Sequence, residues 1–179
     1  MFNFQEQAQA QGWNKAGKLE GRTTTQGLIG IQVKDNSAVM VELNCETDFV
    51  ARNKQFLSLL QSVTDLNLTA AADTSQLDGE FSMKILEKED LDEIKQPDGK
   101  NLADLLALNI GQIGENITLK RAVHFKSSLA RSKLYLVGLT HPSGDVTKCS
   151  YGRWGVLLAI EKDPSIKLPK DESPISLGK

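Results

Sequence analysis

The sequence predicts an α+β domain in which an antiparallel sheet carries helices packed on one face. Alternating apolar and polar residues at 28–33 and 38–43 indicate two strands, and the residues between them have turn chemistry typical of a hairpin. Further strand patterns occur at 117–125, 134–139 and 155–161. Helical patterns form one block between the second and third strands, so the fold belongs to the segregated class.

Composition narrows the class of protein. The chain has 179 residues, of which 40% are hydrophobic and 25% charged, as in ordinary soluble globular proteins. A net charge of -2 argues against a protein held on nucleic acid by its overall field. The longest apolar run, around residues 154–160, is only strand-sized. We therefore expect neither direct nucleic-acid binding nor a membrane span.

Three segments follow from a pass along the chain. Residues 1–22 form an N-terminal helical segment, with a short helix over residues 5–19 that ends near Gly21. Residues 23–162 form the sheet-containing domain. Residues 163–179 contain three prolines and alternate in charge, which predicts an irregular C-terminal tail.

The helical block lies in the middle of this domain. One helix is predicted from Asp48 to about Asp65, followed by a small, polar loop at residues 69–80. Residues 81–94 are mixed in pattern and suit a helix that starts around residue 87 or 89, with an acidic, solvated face. A second amphipathic helix is expected at residues 102–110.

Gly111 and Gly114 end that helix. Their spacing is wrong for a phosphate-binding loop, and no Gly-Lys-Ser or Gly-Lys-Thr follows them. In the strand that comes next, alternation places apolar residues mainly on one face. That face is expected to carry Ile117, Leu119, Arg121, Val123 and Phe125. Lys120 and Arg121 are then a solvated pair, or one makes a contact and the other snorkels.

The most informative segment joins the second strand to the first helix of the block. Cys45 ends the strand, and Thr47 and Asp48 are good N-cap residues. Phe49 and Val50 then stand at the tip of the helix, before its inward face begins. A Phe beside an Asp at an exposed tip is well placed to enter another molecule.

Three segments resemble elongation factor Ts, the nucleotide-exchange factor for the GTPase elongation factor Tu. The first, NCETDFVAR at residues 44–52, is similar to the family's strand-to-helix signature. The second is IGENITLKRAV at residues 113–123, and the third is SYGRWGVLLAIE at residues 150–161. They follow the family's order, and residues 11–30 look like the animal mitochondrial branch. The resemblance covers roughly residues 7–162 and implies an elongation factor Ts core-like fold.

The resemblance also implies a site and a partner. In the family, the residues matching Asp48 and Phe49 enter the GTPase domain of elongation factor Tu, and the ring displaces helices so that the Mg²⁺ and phosphate site is disturbed. The expected partner-binding residues are Thr47, Asp48, Phe49, Val50, Arg52 and Asn53. Such exchange requires no catalytic residue, cofactor or metal in the factor, and a monomer in a heterodimer with elongation factor Tu is expected.

Plainer interpretations stand beside these. In the plainer interpretation, Asp48 does no more than cap the helix, and Phe49 packs against the sheet edge. Arg52 and Asn53 could contact the partner or the chain's own loop with equal weight. A solvated polar face is favoured over a contact role for Glu42, Asn44 and Glu46.

The remaining reactive residues have modest roles. Cys45 is expected to be a small buried hydrophobe, and Cys45 and Cys149 are expected to be reduced thiols. His124 and His141 are far apart in sequence, without Cys or carboxylates at zinc spacing, so a metal site is not predicted. Trp154 is expected in the core, with a contact surface beside Arg153 as the alternative.

Function and location remain hypotheses at this point. The first is an exchange factor, and the alternative is a module that binds elongation factor Tu without ejecting nucleotide, because family members usually continue beyond the last strand into material absent here. An enzyme using Cys45, Glu46 and a distant His is strongly disfavoured. The resemblance implies the mitochondrial matrix, after loss of a presequence that residues 1–11 do not resemble. The alternative is the cytoplasm of a bacterium.

Overall fold

The computed structural model describes residues 4–73, 79–128, 134–146 and 148–161. The helices are α1 (Phe4–Leu19), α2 (Asp48–Ala51), α3 (Lys54–Asp73), α4 (Lys88–Asp92) and α5 (Leu102–Ile113). The strands are β1 (Gln26–Lys34), β2 (Ser37–Cys45), β3 (Phe81–Leu86), β4 (Ile117–Ser127), β5 (Leu134–His141), β6 (Gly144–Val146), β7 (Cys149–Gly152) and β8 (Trp154–Glu161). The predicted tail at residues 163–179 lies outside the described residues.

The predicted α+β class with an antiparallel sheet is confirmed. Six strands form one sheet in the order β3-β4-β2-β1-β7-β6, and β5 and β8 form a separate two-stranded ribbon. All paired strands are antiparallel. The predicted hairpin is β1–β2, whose turn places Asp35 at a φ of 52°. Asp tolerates this left-handed conformation better than most side chains, which fits the predicted turn.

The two faces of the sheet are covered differently. On one face, Val41 and Leu43 of β2 pack against Phe56 and Leu60 of α3, and all four side chains are wholly buried. This confirms the prediction of helices on one face. The opposite face packs against the β5–β8 ribbon through a second apolar cluster, which was not predicted. That cluster comprises Ile31, Ala38, Phe125, Leu136 and Leu157.

Two glycines allow close packing at the two margins of the fold. A Cβ atom at Gly155 in β8 would lie 2.5 Å from Cγ2 of Ile29, so the ribbon approaches β1 only because that position has no side chain. A Cβ atom at Gly12 in α1 would lie 2.7 Å from the carbonyl oxygen of Ala107, so α1 and α5 cross in backbone contact. The N-terminal helix is therefore packed onto the helical layer.

The predicted helix over residues 48–65 was wrong in two respects. It is divided into α2 and α3 by a break at residues 52–53, and α3 continues to Asp73. The start of the predicted loop at 69–80 is thus helical, and residues 74–78 lie outside the described part. At the break, the amide of Gln55 donates to Oδ1 of Asn53 at 2.8 Å, which is an N-cap contact for the helix that follows.

Strand β3 was missed, although the short helix α4 was predicted. Residues 81–86 form the edge of the six-stranded sheet, where Met83 and Ile85 are more than half exposed. An edge strand pairs on one side only and keeps a weak burial pattern. The strands β6 and β7 are three and four residues long, too short for a periodic signal, and were also missed.

The predicted face of β4 was right only within each half of the strand. Leu43 pairs with Leu119 but Glu42 pairs with Arg121, so Lys120 is an extra residue in a β-bulge. Beyond this point the alternation is shifted, and Ala122 and His124 turn to the helix-covered face in place of Val123 and Phe125. A bulge inverts the side chains that follow it, which a strictly alternating pattern cannot show.

Trp154 does not lie in the core, contrary to expectation. Its side chain is 73% exposed, at a position paired with His141 on the outer face of the ribbon. The inner face at this end is instead filled by Gly155 against β1. Among the described residues, none of the helices has the length and apolar character that a membrane span requires.

Candidate functional site

The strand-to-helix corner between β2 and α3 is built by Thr47. This residue is the N-cap of α2, with φ -121° and ψ 154°, and its Oγ1 accepts a hydrogen bond from the amide of Val50 at 3.3 Å. An N-cap side chain satisfies one of the free amides of a first helical turn. We call residues 46–53, which run from the end of β2 to the start of α3, the Phe49 corner.

Phe49 is the most exposed large hydrophobic side chain of the described residues. Its ring is 84% exposed, whereas Val50 beside it is partly buried and packs against the main core. The interpretation in which Phe49 packs against the sheet edge therefore does not fit the structure. An isolated exposed residue is normal on a surface, but a bare aromatic ring on a capped turn is the type of residue enriched in protein interfaces.

Asp48 is held by an ion pair within the corner. Its Oδ2 lies 3.1 Å from the guanidinium Nη2 of Arg52, four residues later, and both side chains are well exposed. Asp48 is the first residue of α2 and is not the cap, a role that belongs to Thr47. The ion pair with Arg52 is open to solvent, and such a pair contributes little to stability.

The two residues that end the corner have different surroundings. Arg52 is exposed and makes the ion pair with Asp48, whereas Asn53 uses its side chain to cap α3. The sequence left open whether Arg52 and Asn53 contact a partner or the chain itself, and the structure shows the contacts that each makes within the chain. Asn53 has a structural function in the chain's own fold, and Arg52 remains available to another molecule.

Two residues that the sequence did not single out fix the corner from outside. The carboxylate of Glu115, 68 residues further along the chain, accepts from the amide of Thr47 at 3.0 Å and from its Oγ1 at 2.6 Å. In return, the carboxylate of Glu46 accepts from the amide of Asn116 at 2.7 Å. Glu115 and Asn116 both lie in the second family-like segment, IGENITLKRAV, and this resemblance was the one sequence signal that could have pointed to them. Their pairing with residues 46 and 47 joins segments that are far apart in the sequence.

The polar residues of β2 bind within the chain. Oε2 of Glu42 accepts from Nε of Arg121 at 2.7 Å, and Nζ of Lys120 lies 3.6 Å from the other oxygen. Partial burial alone would raise the pKa of Glu42, but hydrogen bonds from Arg121 and Asn44 and the two cationic side chains hold it below its usual value. The bulge in β4 brings both basic residues to one carboxylate.

An open cleft of about 650 Å³ lies beside the Phe49 corner. One wall includes Asp48 and Arg52, and the other comes from the segment between β5 and β8, including Pro142, Tyr151 and Arg153. The cleft therefore joins the first and third family-like segments on one surface. The exposed side chains of Arg52 and Arg153 stand on opposite walls, so charged groups border the cleft as they do at the rim of a protein interface.

The chemistry of the cysteines and histidines is that of a protein interior. Burial raises the pKa of Cys45 to about 11, with the negative charge of Glu115 adding to the effect, so its thiol is not a nucleophile near neutral pH. Both cysteines are free and buried. His124 is buried and bonds Asn67 at 2.9 Å, and His141 is exposed. No cluster of three metal-ligating side chains occurs within the described ranges.

Comparison with protein families gives one match. The family model described as Elongation factor TS matches residues 46–172. This range begins in the Phe49 corner, includes Glu115 and Asn116, and contains both described walls of the cleft, whose remaining lining comes from residues 26–28 of β1. Of the three segments that resembled the family in sequence, the first and third line the cleft, and the second is bonded to the Phe49 corner through Glu115 and Asn116.

Individual relatives agree with the family match. The chain is 48% identical to "Elongation factor Ts, mitochondrial" of Aedes aegypti, over 88% of this chain and 52% of that protein. Identity to the protein of the same name is 39% in Salmo salar, over 97% and 59% of the two chains. It is also 39% in Rattus norvegicus, over 90% and 50%. The chain spans about half the length of the curated relatives it matches.

Proposed function

Because this chain belongs to the elongation factor Ts family, we propose that it promotes release of GDP from an elongation factor Tu GTPase by presenting Asp48 and Phe49 to that partner. The observation that supports this most directly is the 84% exposure of the Phe49 ring on a turn that is capped and tied to the fold. Thr47, Val50, Arg52 and Asn53 complete the proposed contact segment, with Asn53 acting through its cap of α3.

The energy available from one ring suits this role. Full burial of a Phe side chain in a partner is worth roughly 1.5–3 kcal/mol, the scale of an interface hot spot. Mg²⁺ in GTPases has few protein ligands and depends on the nucleotide phosphates. A ring that displaces a helix next to that site therefore weakens the metal and the nucleotide together.

Exchange of this kind is a matter of linked equilibria. A factor that binds the nucleotide-free GTPase more tightly than its GDP form must weaken GDP binding by the same ratio. A factor with equal affinity for both forms would change nothing. The proposed function therefore assigns this chain no catalytic residue and no cofactor. It requires that the chain bind the nucleotide-free GTPase more tightly than the GDP-bound GTPase.

A module that binds elongation factor Tu without ejecting GDP is the second candidate. It would bind the nucleotide-free and GDP forms of the GTPase with equal affinity, and such binding displaces no nucleotide. The two candidates differ in the ratio between affinity for the partner and acceleration of GDP release.

Further features of the protein follow from the same proposal. The curated relatives are named mitochondrial, and we propose that this chain acts in the mitochondrial matrix, where translation occurs. The helical segment 1–22, core-like domain 23–162 and tail 163–179 are its proposed organisation. The functional unit is one copy of the chain with one copy of the GTPase.

Stopped-flow release of labelled GDP tests the proposal. Mitochondrial elongation factor Tu from the species of a close relative is loaded with fluorescent GDP and mixed with increasing amounts of the chain. The release rate should rise with concentration and saturate, and Phe49→Ala should reduce the saturating rate while leaving the fold intact. Binding without acceleration would select the second candidate, and the absence of both would reject the assignment.

A further inference from the structure

The geometry points to Glu115 as a positioning residue for the Phe49 corner: its carboxylate, bonded twice to Thr47, holds the turn that carries the Phe49 ring at the angle needed to act on the GTPase. This inference rests on the proposed exchange function, and it assigns to a residue outside the contact segment a part in that function. Glu115 lies at the junction of α5 and β4 and acts through Thr47.

The helix that carries Phe49 is too short to hold itself in place. α2 has four residues, and its backbone hydrogen bonds are those of a single turn, from Ala51 to Thr47 at 3.3 Å, from Arg52 to Phe49 at 3.3 Å and from Asn53 to Val50 at 2.9 Å. Forming a first turn fixes several backbone dihedrals for very few hydrogen bonds, so isolated turns are unstable in water. The order of the Phe49 corner must therefore come from elsewhere.

Glu115 supplies that order through a chain of hydrogen bonds. Its carboxylate takes both donors of Thr47, the amide at 3.0 Å and the hydroxyl at 2.6 Å. Because the hydroxyl proton is then directed at Glu115, the lone pairs of Oγ1 face the amide of Val50 at 3.3 Å. Hydrogen bonds to a charged acceptor are about twice as strong as neutral ones. The carboxylate thus fixes both the backbone and the cap of α2.

The support beneath Glu115 is rigid. Gly114 ends α5 in a left-handed conformation with φ 85°, and Ile117 begins β4 buried in the main core. A second link runs the other way, from the amide of Asn116 to Glu46 at 2.7 Å. The side chain of Asn116 also donates to the carbonyl oxygen of Arg22 at 2.8 Å. Two reciprocal bonds join two chain segments more stiffly than either would alone.

This arrangement determines which of the two molecules rearranges when Phe49 binds the GTPase. The turn that carries Phe49 is held by residues at the end of α5 and the start of β4, so the helices of the partner move and the turn does not. Without the Glu115 carboxylate the same contact could be made by a turn that yields, and the binding energy would go into rearranging the factor. Loss of Glu115 should therefore reduce exchange more than it reduces binding.

Asp104, in the first turn of α5, offers a matched control at the far end of the helix that precedes Glu115. Its carboxylate also takes two donors, Nε1 of Trp13 at 2.9 Å and the amide of Asn101 at 3.0 Å, but at the opposite end of α5. Asp104→Ala removes a comparable pair of hydrogen bonds without touching the Phe49 corner. Glu115→Gln is the conservative variant, since its one amide oxygen can still accept from one of the two Thr47 donors, without the charge.

The first measurement is made on the free chain. Hydrogen exchange followed by mass spectrometry should show opening of residues 48–53 about ten- to hundredfold more often in Glu115→Ala, because the two bonds to the carboxylate are lost. Glu115→Gln should give protection between that of the alanine variant and that of the unchanged chain, and Asp104→Ala should leave this segment unchanged. Equal protection in Glu115→Ala and the unchanged chain would overturn the inference whatever the partner does.

The second measurement separates binding from exchange. At a saturating concentration of Glu115→Ala, the GTPase should release labelled GDP about tenfold more slowly than with the unchanged chain, since a small misplacement of an acting group lowers a rate steeply. The concentration of the variant that gives half of its maximal rate should change by a smaller factor. Asp104→Ala should keep the saturating rate. An equal loss in Asp104→Ala, or a full rate in Glu115→Ala, would overturn the inference. If the unchanged chain does not accelerate GDP release, the proposed function fails. The hydrogen-exchange data on residues 48–53 then still decide whether Glu115 positions the Phe49 corner.

Discussion

Phe49 and Phe56 are separated by seven positions, yet the first ring is 84% exposed and the second is wholly buried. In a continuous α-helix, residues seven apart lie on nearly the same face, because seven residues complete almost two turns. The break at residues 52–53 allows the two rings to part. Asn53 lies in that break, where its side chain accepts from the amide of Gln55 in the first turn of α3.

The two rings predict opposite effects on stability. Phe49→Ala should change the free energy of unfolding by less than about 0.5 kcal/mol, as for other exposed surface substitutions. Phe56→Ala removes a wholly buried ring of the main core and should cost about 3–5 kcal/mol. Urea unfolding followed by tryptophan fluorescence and circular dichroism measures both. A loss above about 2 kcal/mol in Phe49→Ala would show that the ring is packed within the chain, and the proposed contact would fail.

Much of the architecture was accessible from local signals. The hairpin, α4, α5 and the strands β5 and β8 follow from alternation, helical spacing and turn residues, and each of these signals is contained in a short window. The predicted bounds of the N-terminal helix agree with α1 to within one residue at each end. Gly21, with a φ of 87° in the structure, was the sequence signal for its C-terminal end. The position of the Phe49 corner followed from cap chemistry and from the family-like segment.

The features that were missed depend on contacts between distant parts of the chain. The ribbon covers the second face only because β5 and β8 pair across the segment that contains β6 and β7. The bulge at Lys120 appears only when β4 is aligned with β2. Glu115 and Thr47 meet across 68 residues, and no pattern within either segment contains the other. Tertiary pairing of this kind is beyond local periodicity.

Asn53 provides a second prediction about the corner. Asn53→Ala should lower the free energy of unfolding by about 1 kcal/mol, the usual cost of losing an N-cap side chain. Asn53→Asp should retain stability, since a carboxylate oxygen also accepts from the Gln55 amide. Thermal unfolding of the three proteins provides the comparison. If the alanine variant is as stable as the unchanged chain, the cap does not maintain the break, and another cause must be sought.

Trp154 tests the exposed face of the ribbon. The sequence favoured a core position, where Trp→Ser would cost several kcal/mol, but the side chain is 73% exposed. Trp154→Ser should therefore cost less than about 1 kcal/mol. Leu157→Ser on the inner face, where the side chain is buried against β1 and β2, should cost about 2–5 kcal/mol. Comparable losses from both would mean that the outer face is covered.

The cysteines predict a chemical result. Cys45 and Cys149 are almost inaccessible, and burial raises both thiol pKa values, that of Cys45 to about 11. At pH 8 neither should react with a disulfide reagent such as dithiobisnitrobenzoate except through unfolding, because both the thiolate and access to it are lacking. In urea both should react at once. A fast native reaction assigned by mass spectrometry to Cys45 would revive the disfavoured enzyme hypothesis.

His124 predicts how stability depends on pH. Its Nε2 lies 2.9 Å from Oδ1 of Asn67 on the helix-covered side of the sheet, where the imidazole is buried. Burial, with a smaller effect from the positive charge of Lys84, lowers the pKa of His124 to about 4. In the unfolded chain the same imidazole takes up a proton near pH 6.5. Between these values the unfolded state binds more protons.

The direction of the effect follows from that difference. Stability from neutral His124 is fully present above about pH 6.5 and is lost as the pH falls toward 4, by about 1.4 kcal/mol per pH unit at most and roughly 3 kcal/mol in all. His124→Gln, whose amide can still donate to Asn67, should flatten this part of the curve. Urea unfolding of both proteins from pH 7.5 to 4 measures the difference, in which carboxylates common to both cancel. Parallel curves would show that the buried imidazole is not what makes the fold sensitive to acid.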